Sequence, residues 1–230
     1  MIPKIIHFCW LSNDPYPELI TQCIKSWKNI LPDYEFKLWN LSCPDIAGNK
    51  WVQQAFENKK YAFAADYVRF YALFNYGGIY LDADVEVLKS FNDLLDRHEF
   101  LGEECAGDIE AAVMGAEKGS LWVGECLNHY SGRSFVKEDG KFDMRPVPLL
   151  VNEVAKKYNL EIMPYTVFSP KNYHVGRIYA NESSYTIHHF DGKWVKRGLK
   201  SNCKLFIHRM LYAFFGRKGH NKVVNLIRKL

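Results

Sequence analysis

The stretch that most constrains this chain is Ile79-Tyr80-Leu81-Asp82-Ala83-Asp84-Val85-Glu86-Val87. Side chains alternate between the two faces of a β-strand. Ile79, Leu81, Ala83, Val85 and Val87 therefore form a wholly apolar face, and Tyr80, Asp82, Asp84 and Glu86 the opposite one. Such a strand must bury one side against a core and hold its acids at an edge. Two carboxylates two positions apart repel, and a divalent cation, or a proton on one of them, relieves the repulsion. An all-oxygen ligand set favours a hard ion, Mn²⁺ or Mg²⁺. Asp-x-Asp alone is a weak signal, because a solvated strand end or turn carries it equally well. Its surroundings make it specific.

Upstream, residues 61–76 read as an amphipathic helix with Phe63, Tyr67, Phe70, Tyr71 and Phe74 as its core stripe. Asp66 and Arg69, three apart, point the same way on a neighbouring face. Gly77-Gly78 ends the helix, because glycine accepts backbone angles that other residues avoid. At the start, residues 4–10 read as a buried strand. A helix over 16–30 follows, with Leu19, Ile20, Cys23, Ile24, Trp27 and Leu31 on one stripe, and then a strand over 35–39. Strand–helix–strand predicts a βαβ unit in a partly parallel sheet. A short helix is expected over 51–58, a strand over 111–115, helices over 121–130 and 148–158, and a strand over 185–189. Residues 132–146 are polar and read as a mobile loop.

A chain of 230 residues with 48% hydrophobic residues suits one folded domain. No signal peptide and no membrane-spanning run is visible, so a cytoplasmic location is expected. The six cysteines form no C-x-x-C pair and read as reduced, buried thiols. Charge is unevenly placed. Residues 192–230 hold eleven Lys or Arg and no Asp or Glu, whereas the rest is acidic overall. Residues 204–215 and 222–230 suit amphipathic helices, with Phe206, Ile207, Met210, Leu211, Phe214 and Phe215 on the apolar face of the first. Such helices fit an anionic bilayer surface, here the inner face of the plasma membrane, or else pack on the body as ordinary helices. The expected layout is a catalytic unit over 1–200, with a donor half over 1–100 and an acceptor half over 101–200, and a basic tail over 201–230. No nucleic-acid recognition module is present.

The segment Ala65-Asp66-Tyr67-Val68-Arg69-Phe70, followed by Tyr76-Gly77-Gly78-Ile79-Tyr80-Leu81-Asp82-Ala83-Asp84-Val85, resembles the DXD-motif sugar-binding glycosyltransferases. These include bacterial capsular polysaccharide synthesis proteins, yeast initiating mannosyltransferases and the catalytic core of glucosylating clostridial toxins. The opening Ile2-Pro3-Lys4-Ile5-Ile6-His7-Phe8-Cys9-Trp10 and the later Ile187-His188-His189 with Trp194 also match, in order. The resemblance implies a GT-A fold, an α/β Rossmann-like mixed sheet flanked by helices. It further implies Mn²⁺ or Mg²⁺, a nucleotide-diphosphate sugar donor and retention of anomeric configuration. Carried over by position, Trp10 stacks on the base, Asp66 and Arg69 hold sugar hydroxyls and diphosphate, and Tyr80 lines the donor pocket. Asp82 reaches the ribose, the sugar or a metal-bound water, and Asp84 ligates the metal. His189 is a further ligand, or His188 in its place, since neighbouring strand residues face opposite ways. Trp194 bonds a phosphate.

The expected reaction moves a hexose or N-acetylhexosamine to a glycan or lipid-linked acceptor in capsular or surface polysaccharide synthesis. A UDP-sugar is the favoured donor and GDP-mannose the alternative. Where many members carry Thr-Gly-Pro before the second-half helix, this chain has Asp143-Met144-Arg145-Pro146-Val147-Pro148, which leaves the acceptor open. Two rivals remain. One is a haloacid-dehalogenase-type phosphatase, although here the acid pair lies mid-chain and lacks the downstream lysine and acidic pair. The other is a nucleotide-sugar-binding protein without turnover.

Overall fold

The computed structural model describes residues 1–12, 14–105, 107–192 and 199–227. The first unit is β1 (Ile5–Cys9), α1 (Glu18–Ile30) and β2 (Glu35–Trp39), with β1 and β2 parallel as the βαβ reading requires. Two short helices, α2 (Pro44–Ala47) and α3 (Lys50–Glu57), lead to α4 (Tyr61–Tyr76). Then come β3 (Gly78–Leu81), β4 (Val85–Val87), β5 (Glu99–Glu103), β6 (Ile109–Ala116), α5 (Leu121–Asn128) and α6 (Val147–Tyr158). The last elements are β7 (Ile162–Met163), α7 (Tyr165–Phe168), β8 (Thr186–His188) and α8 (Leu199–Ile227).

Six strands form a mixed sheet in the order β2-β1-β3-β6-β5-β7, and β4 pairs with β8 in a small second sheet. One core lies between the large sheet and α3–α6, with Trp39, Trp51, Phe70 and Trp122 buried in it. A second lies on the opposite face, where Trp27 of α1 meets Ile79, Leu81, Phe91 and Phe100. This is the α/β, Rossmann-like mixed sheet flanked by helices that was expected.

α4 is buried nearly all round, not along one stripe. Ala64, Val68, Ala72 and Leu73 are inside together with Phe63 and Phe70, and so are Asp66 and Arg69. A helix apolar on most sides belongs in the interior. It stops at Gly77, whose φ 66° and ψ −174° lie in a region that essentially only glycine occupies. Gly78, at φ 107°, brings the chain against β1, and a Cβ there would sit 2.6 Å from the Ile5 carbonyl oxygen.

Two expectations need correction. The predicted strand over 79–87 is two strands in two sheets, broken by a turn at Asp82–Asp84. The 132–146 segment is anchored, not free: Phe135 is fully buried, stacks on Phe142 and meets Trp51 and Phe63. In the tail, α8 is bent at Gly216 and docks through buried His208, Tyr212 and His220. Phe206, Ile207, Met210, Phe214 and Phe215 of the expected apolar face stay exposed.

Candidate active site

β3 leaves the large sheet while its neighbours run on, β1 to Cys9 and β6 back to Ile109. Asp82 N–H still donates to the Ala112 carbonyl on β6 (2.8 Å), but Val85 N–H then turns back onto the Asp82 carbonyl (3.0 Å). The chain leaves the large sheet and restarts as β4. α1 holds β4 in place: Trp27 Nε1 donates to the Val85 carbonyl (2.6 Å), and Ser26 Oγ accepts from Val87 N–H (2.9 Å). The acid pair thus rides on a turn at the carboxyl end of β3, beside the carboxyl end of parallel β1. Open α/β sheets bind their ligands at that edge.

Asp84 is fixed from two directions. Its Oδ2 accepts from Asp191 N–H (2.8 Å), and its Oδ1 lies 3.4 Å from His188 Nε2. The other ring nitrogen of His188 meets Glu110 Oε2 at 3.2 Å. Glu110 also accepts from Ala112 N–H (3.0 Å) and Ser169 Oγ (3.1 Å). Burial works against the charge on Asp84, yet His188 and the Asp191 amide outweigh it and hold its pKa at about 2. Burial likewise disfavours the imidazolium, but Glu110 and Asp84 together raise the His188 pKa well above its ordinary value.

Asp82 is fixed from behind. Its Oδ1 accepts from Tyr80 Oη (3.0 Å) and lies 3.5 Å from Arg69 Nη2. The same Nη2 pairs with Asp66 at 2.9 Å, and Nη1 donates to the Ala111 carbonyl (2.6 Å). The guanidinium lies 4.9 Å from the Tyr80 ring centroid. Burial raises the Asp66 pKa to about 7 against the pull of Arg69, and burial raises Asp82 as well. Asp66 and Arg69 are 6% and 4% exposed, so they are an interior pair and not a surface one.

Of the remaining expected site residues, Trp10 follows β1 directly, half-buried, with its indole N–H on the Asp14 carbonyl (3.0 Å) and its ring edge-on to Tyr16. His189 turns away from the acid pair, with Nε2 2.9 Å from Glu86 Oε2, and only its backbone N–H meets the Asp84 carbonyl. The ring that reaches Asp84 is His188. Trp194 lies outside the described residues.

Sequence reasoning missed Glu110. Its signal was an acid opening the otherwise apolar run Ile109–Ala116, since a buried carboxylate needs partners. Asp82, Asp84 and His188 each offer one ligand atom, all within 4.8 Å of one another. Two carboxylates and an imidazole suit Mn²⁺ better than Mg²⁺, which takes oxygen almost exclusively.

The family described as "Glycosyltransferase sugar-binding region containing DXD motif" matches residues 17–101. That span contains Asp66, Arg69, Tyr80, Asp82 and Asp84, but neither Glu110 nor His188. Among curated proteins, inositol phosphoceramide mannosyltransferase 3 of Schizosaccharomyces pombe is 35% identical over 51% of this chain and 34% of its own length. Mannosyl phosphorylinositol ceramide synthase CSH1 of Saccharomyces cerevisiae is 29% identical over 59% of this chain and 38% of its own. The chain thus spans little more than a third of the length of these relatives. A solved structure titled "PaToxG Glycosyltransferase" superposes with a TM-score of 0.50 at 17% identity, covering 68% of this chain and 70% of that one. This last likeness concerns the fold.

Proposed function

We propose that this chain, which carries the DXD-type sugar-binding region of glycosyltransferases over residues 17–101, transfers a hexose from a nucleotide-diphosphate sugar with the help of a divalent cation. The observation that carries the reading is the convergence of Asp82, Asp84 and His188 at the carboxyl edge of the sheet. Those three would hold the ion. When bound, it supplies Lewis-acid stabilisation of the charge that develops on the leaving diphosphate.

The chain's own residues do the rest by positioning. Glu110 orients His188, and the Asp191 amide orients Asp84. Arg69 and Tyr80 hold Asp82 in place, and Asp66 steadies Arg69. Asp66 and Arg69 therefore act through Asp82. Trp10 stands at the mouth of the same sheet edge, where a nucleotide base can lie against it. Retention of configuration, by attack from the leaving-group face, stays part of the reading.

The names of these two relatives speak of mannosyl transfer to inositol phosphoceramide, and neither speaks of capsule synthesis. GDP-mannose therefore goes ahead of the UDP-sugars as the first donor to try, with a phosphorylated lipid or lipid-linked glycan as acceptor. The exposed row Phe206, Ile207, Met210, Phe214 and Phe215, set in a basic tail, supports peripheral contact with an anionic membrane that presents such an acceptor. No helix among the described residues is long and apolar enough to cross a membrane.

The deciding measurement is nucleotide release from GDP-mannose and a UDP-sugar panel, with and without Mn²⁺. Release is expected from one donor with Mn²⁺, and a fall of at least about 100-fold in Asp84→Ala. Phosphate release from simple phosphomonoesters without sugar transfer would give the site to phosphatase chemistry instead. Binding of donor with no release under any condition would leave a carrier without turnover.

A further inference from the structure

A second set of metal-ligating side chains lies where α8 docks on the segment after α7. His174, His208 and His220 are all buried, and one nitrogen of each lies within 4.8 Å of the others. His208 Nδ1 is 2.9 Å from His220 Nε2. The His174 and His208 rings stack at 3.8 Å between centroids, and the His220 ring tilts against both at 5.2 and 5.1 Å. The chain has a local reason to bring them together. His208 and His220 flank Gly216, whose φ of 60° and ψ of −172° break the helix between them, so both arms turn a histidine toward His174.

We infer that these three imidazoles form a zinc site distinct from the acid pair, made when one ring of the His174–His208 stack turns so that both point edge-on at the ion. Neutral imidazole is a common protein ligand for zinc, and three nitrogens leave a fourth tetrahedral position for solvent. A three-nitrogen set is a poor host for Mg²⁺ or Mn²⁺, which favour oxygen, so the two sites select different ions. Asn221 supplies the outer support that such ligands normally have. Its Oδ1 lies 3.0 Å from His220 Nδ1, so that nitrogen carries the proton and Nε2 faces the cluster. Asn221 is itself held by donating Nδ2–H to the Cys105 carbonyl (3.2 Å). His174 is held through its backbone: its N–H donates to Asn172 Oδ1 (3.0 Å), and its carbonyl accepts from Arg209 Nε (3.5 Å). Zinc here ties both arms of α8 to the body and fixes the direction in which the exposed aromatic row points.

The test uses the full chain carrying Asp82→Asn and Asp84→Asn, so that the acid pair does not compete, after chelator treatment and buffer exchange. Zn²⁺ is titrated against a chromophoric chelator, and Co²⁺ is followed by its visible absorption. One equivalent is expected, with a tetrahedral Co²⁺ spectrum and a rise in melting temperature on adding Zn²⁺. His208→Gln and His220→Gln should abolish it, with folding checked by circular dichroism. Asn221→Ala, which keeps every ligand, should weaken it by about 10–100-fold. The proposal is overturned if the folded Asp82/Asp84 variant takes up no zinc, or if affinity is unchanged in folded His variants or in Asn221→Ala. None of these readouts depends on sugar transfer.

Discussion

Arg69 faces two carboxylates at once, Asp66 at 2.9 Å and Asp82 at 3.5 Å, from a position that water barely reaches. Removing one partner of a buried ion pair leaves an uncompensated charge, so Arg69→Ala should destabilise the fold by about 3–5 kcal/mol in urea unfolding. Arg69→Lys should recover only part of that, because an ammonium cannot span both acids and the Ala111 carbonyl. The pH dependence follows from Asp84 and His188. The Asp84 pKa is depressed to about 2, so its contribution is present above its unfolded value and is lost as pH falls toward 2. Without metal, urea midpoints should fall between pH 5 and pH 2.5, and Asp84→Asn should remove about 2 kcal/mol of that fall. The raised pKa of His188 has the opposite sign: its imidazolium stabilises below the unfolded pKa, and the contribution is lost as pH rises through the folded one. A cation bound through this ring must displace the proton, so Mn²⁺ affinity measured by calorimetry should strengthen with rising pH and should vary less in His188→Gln. At this scale the meeting of Asp66, Arg69, Tyr80 and Asp82 was legible in the sequence. The histidine was not, because choosing between His188 and His189 requires knowing that Val85 pairs with His188.

Among elements, the close approach of β3 to β1 makes a sharp demand on one residue. Gly78→Ala forces a Cβ to within 2.6 Å of the Ile5 carbonyl at a φ that L-residues rarely adopt, and about 2–4 kcal/mol of stability should be lost. Gly119→Ala is the control, likewise at positive φ (76°) but with open space around it, and should lose about 1 kcal/mol. Thermal melts of the two variants separate contact from backbone strain. The helix over 61–76, the glycine stop and the βαβ opening were legible because each is written in local pattern. The break at Asp82–Asp84 was not, because alternation runs on through Val87 and gives no sign that β6 stops supporting one strand while β8 takes up the next. Glu110 escaped for a related reason: a strand read from Ala111 onward omits the acid just before it. The hold on 132–146 depends on Phe135, one of two phenylalanines in a polar stretch, and on partners far away at Trp51 and Phe63.

For the whole molecule, the described part of the basic tail exposes a group of aromatic side chains. Phe206, Phe214 and Phe215 are 65%, 74% and 61% exposed, far beyond what a buried helix face shows. The chain should sediment with vesicles containing phosphatidylserine and remain in solution with purely zwitterionic ones. Replacing the three phenylalanines by Ser should abolish sedimentation while leaving the melting temperature within about 2 °C. Raising the salt to about 0.5 M should weaken the association, since charge attraction contributes to it.

The turn that breaks β3 from β4 has one more consequence. Its carboxylates come from the first half of the chain, but the imidazole that meets Asp84 arrives with β8, long after them in order of synthesis. A nascent polypeptide halted at residue 101 would own the whole DXD segment and still lack both His188 and Glu110. The Asp82–Asp84–His188 cluster is therefore completed late, by the closing of the small sheet, and on the proposed reading an incomplete chain leaving the ribosome could not yet seat the ion.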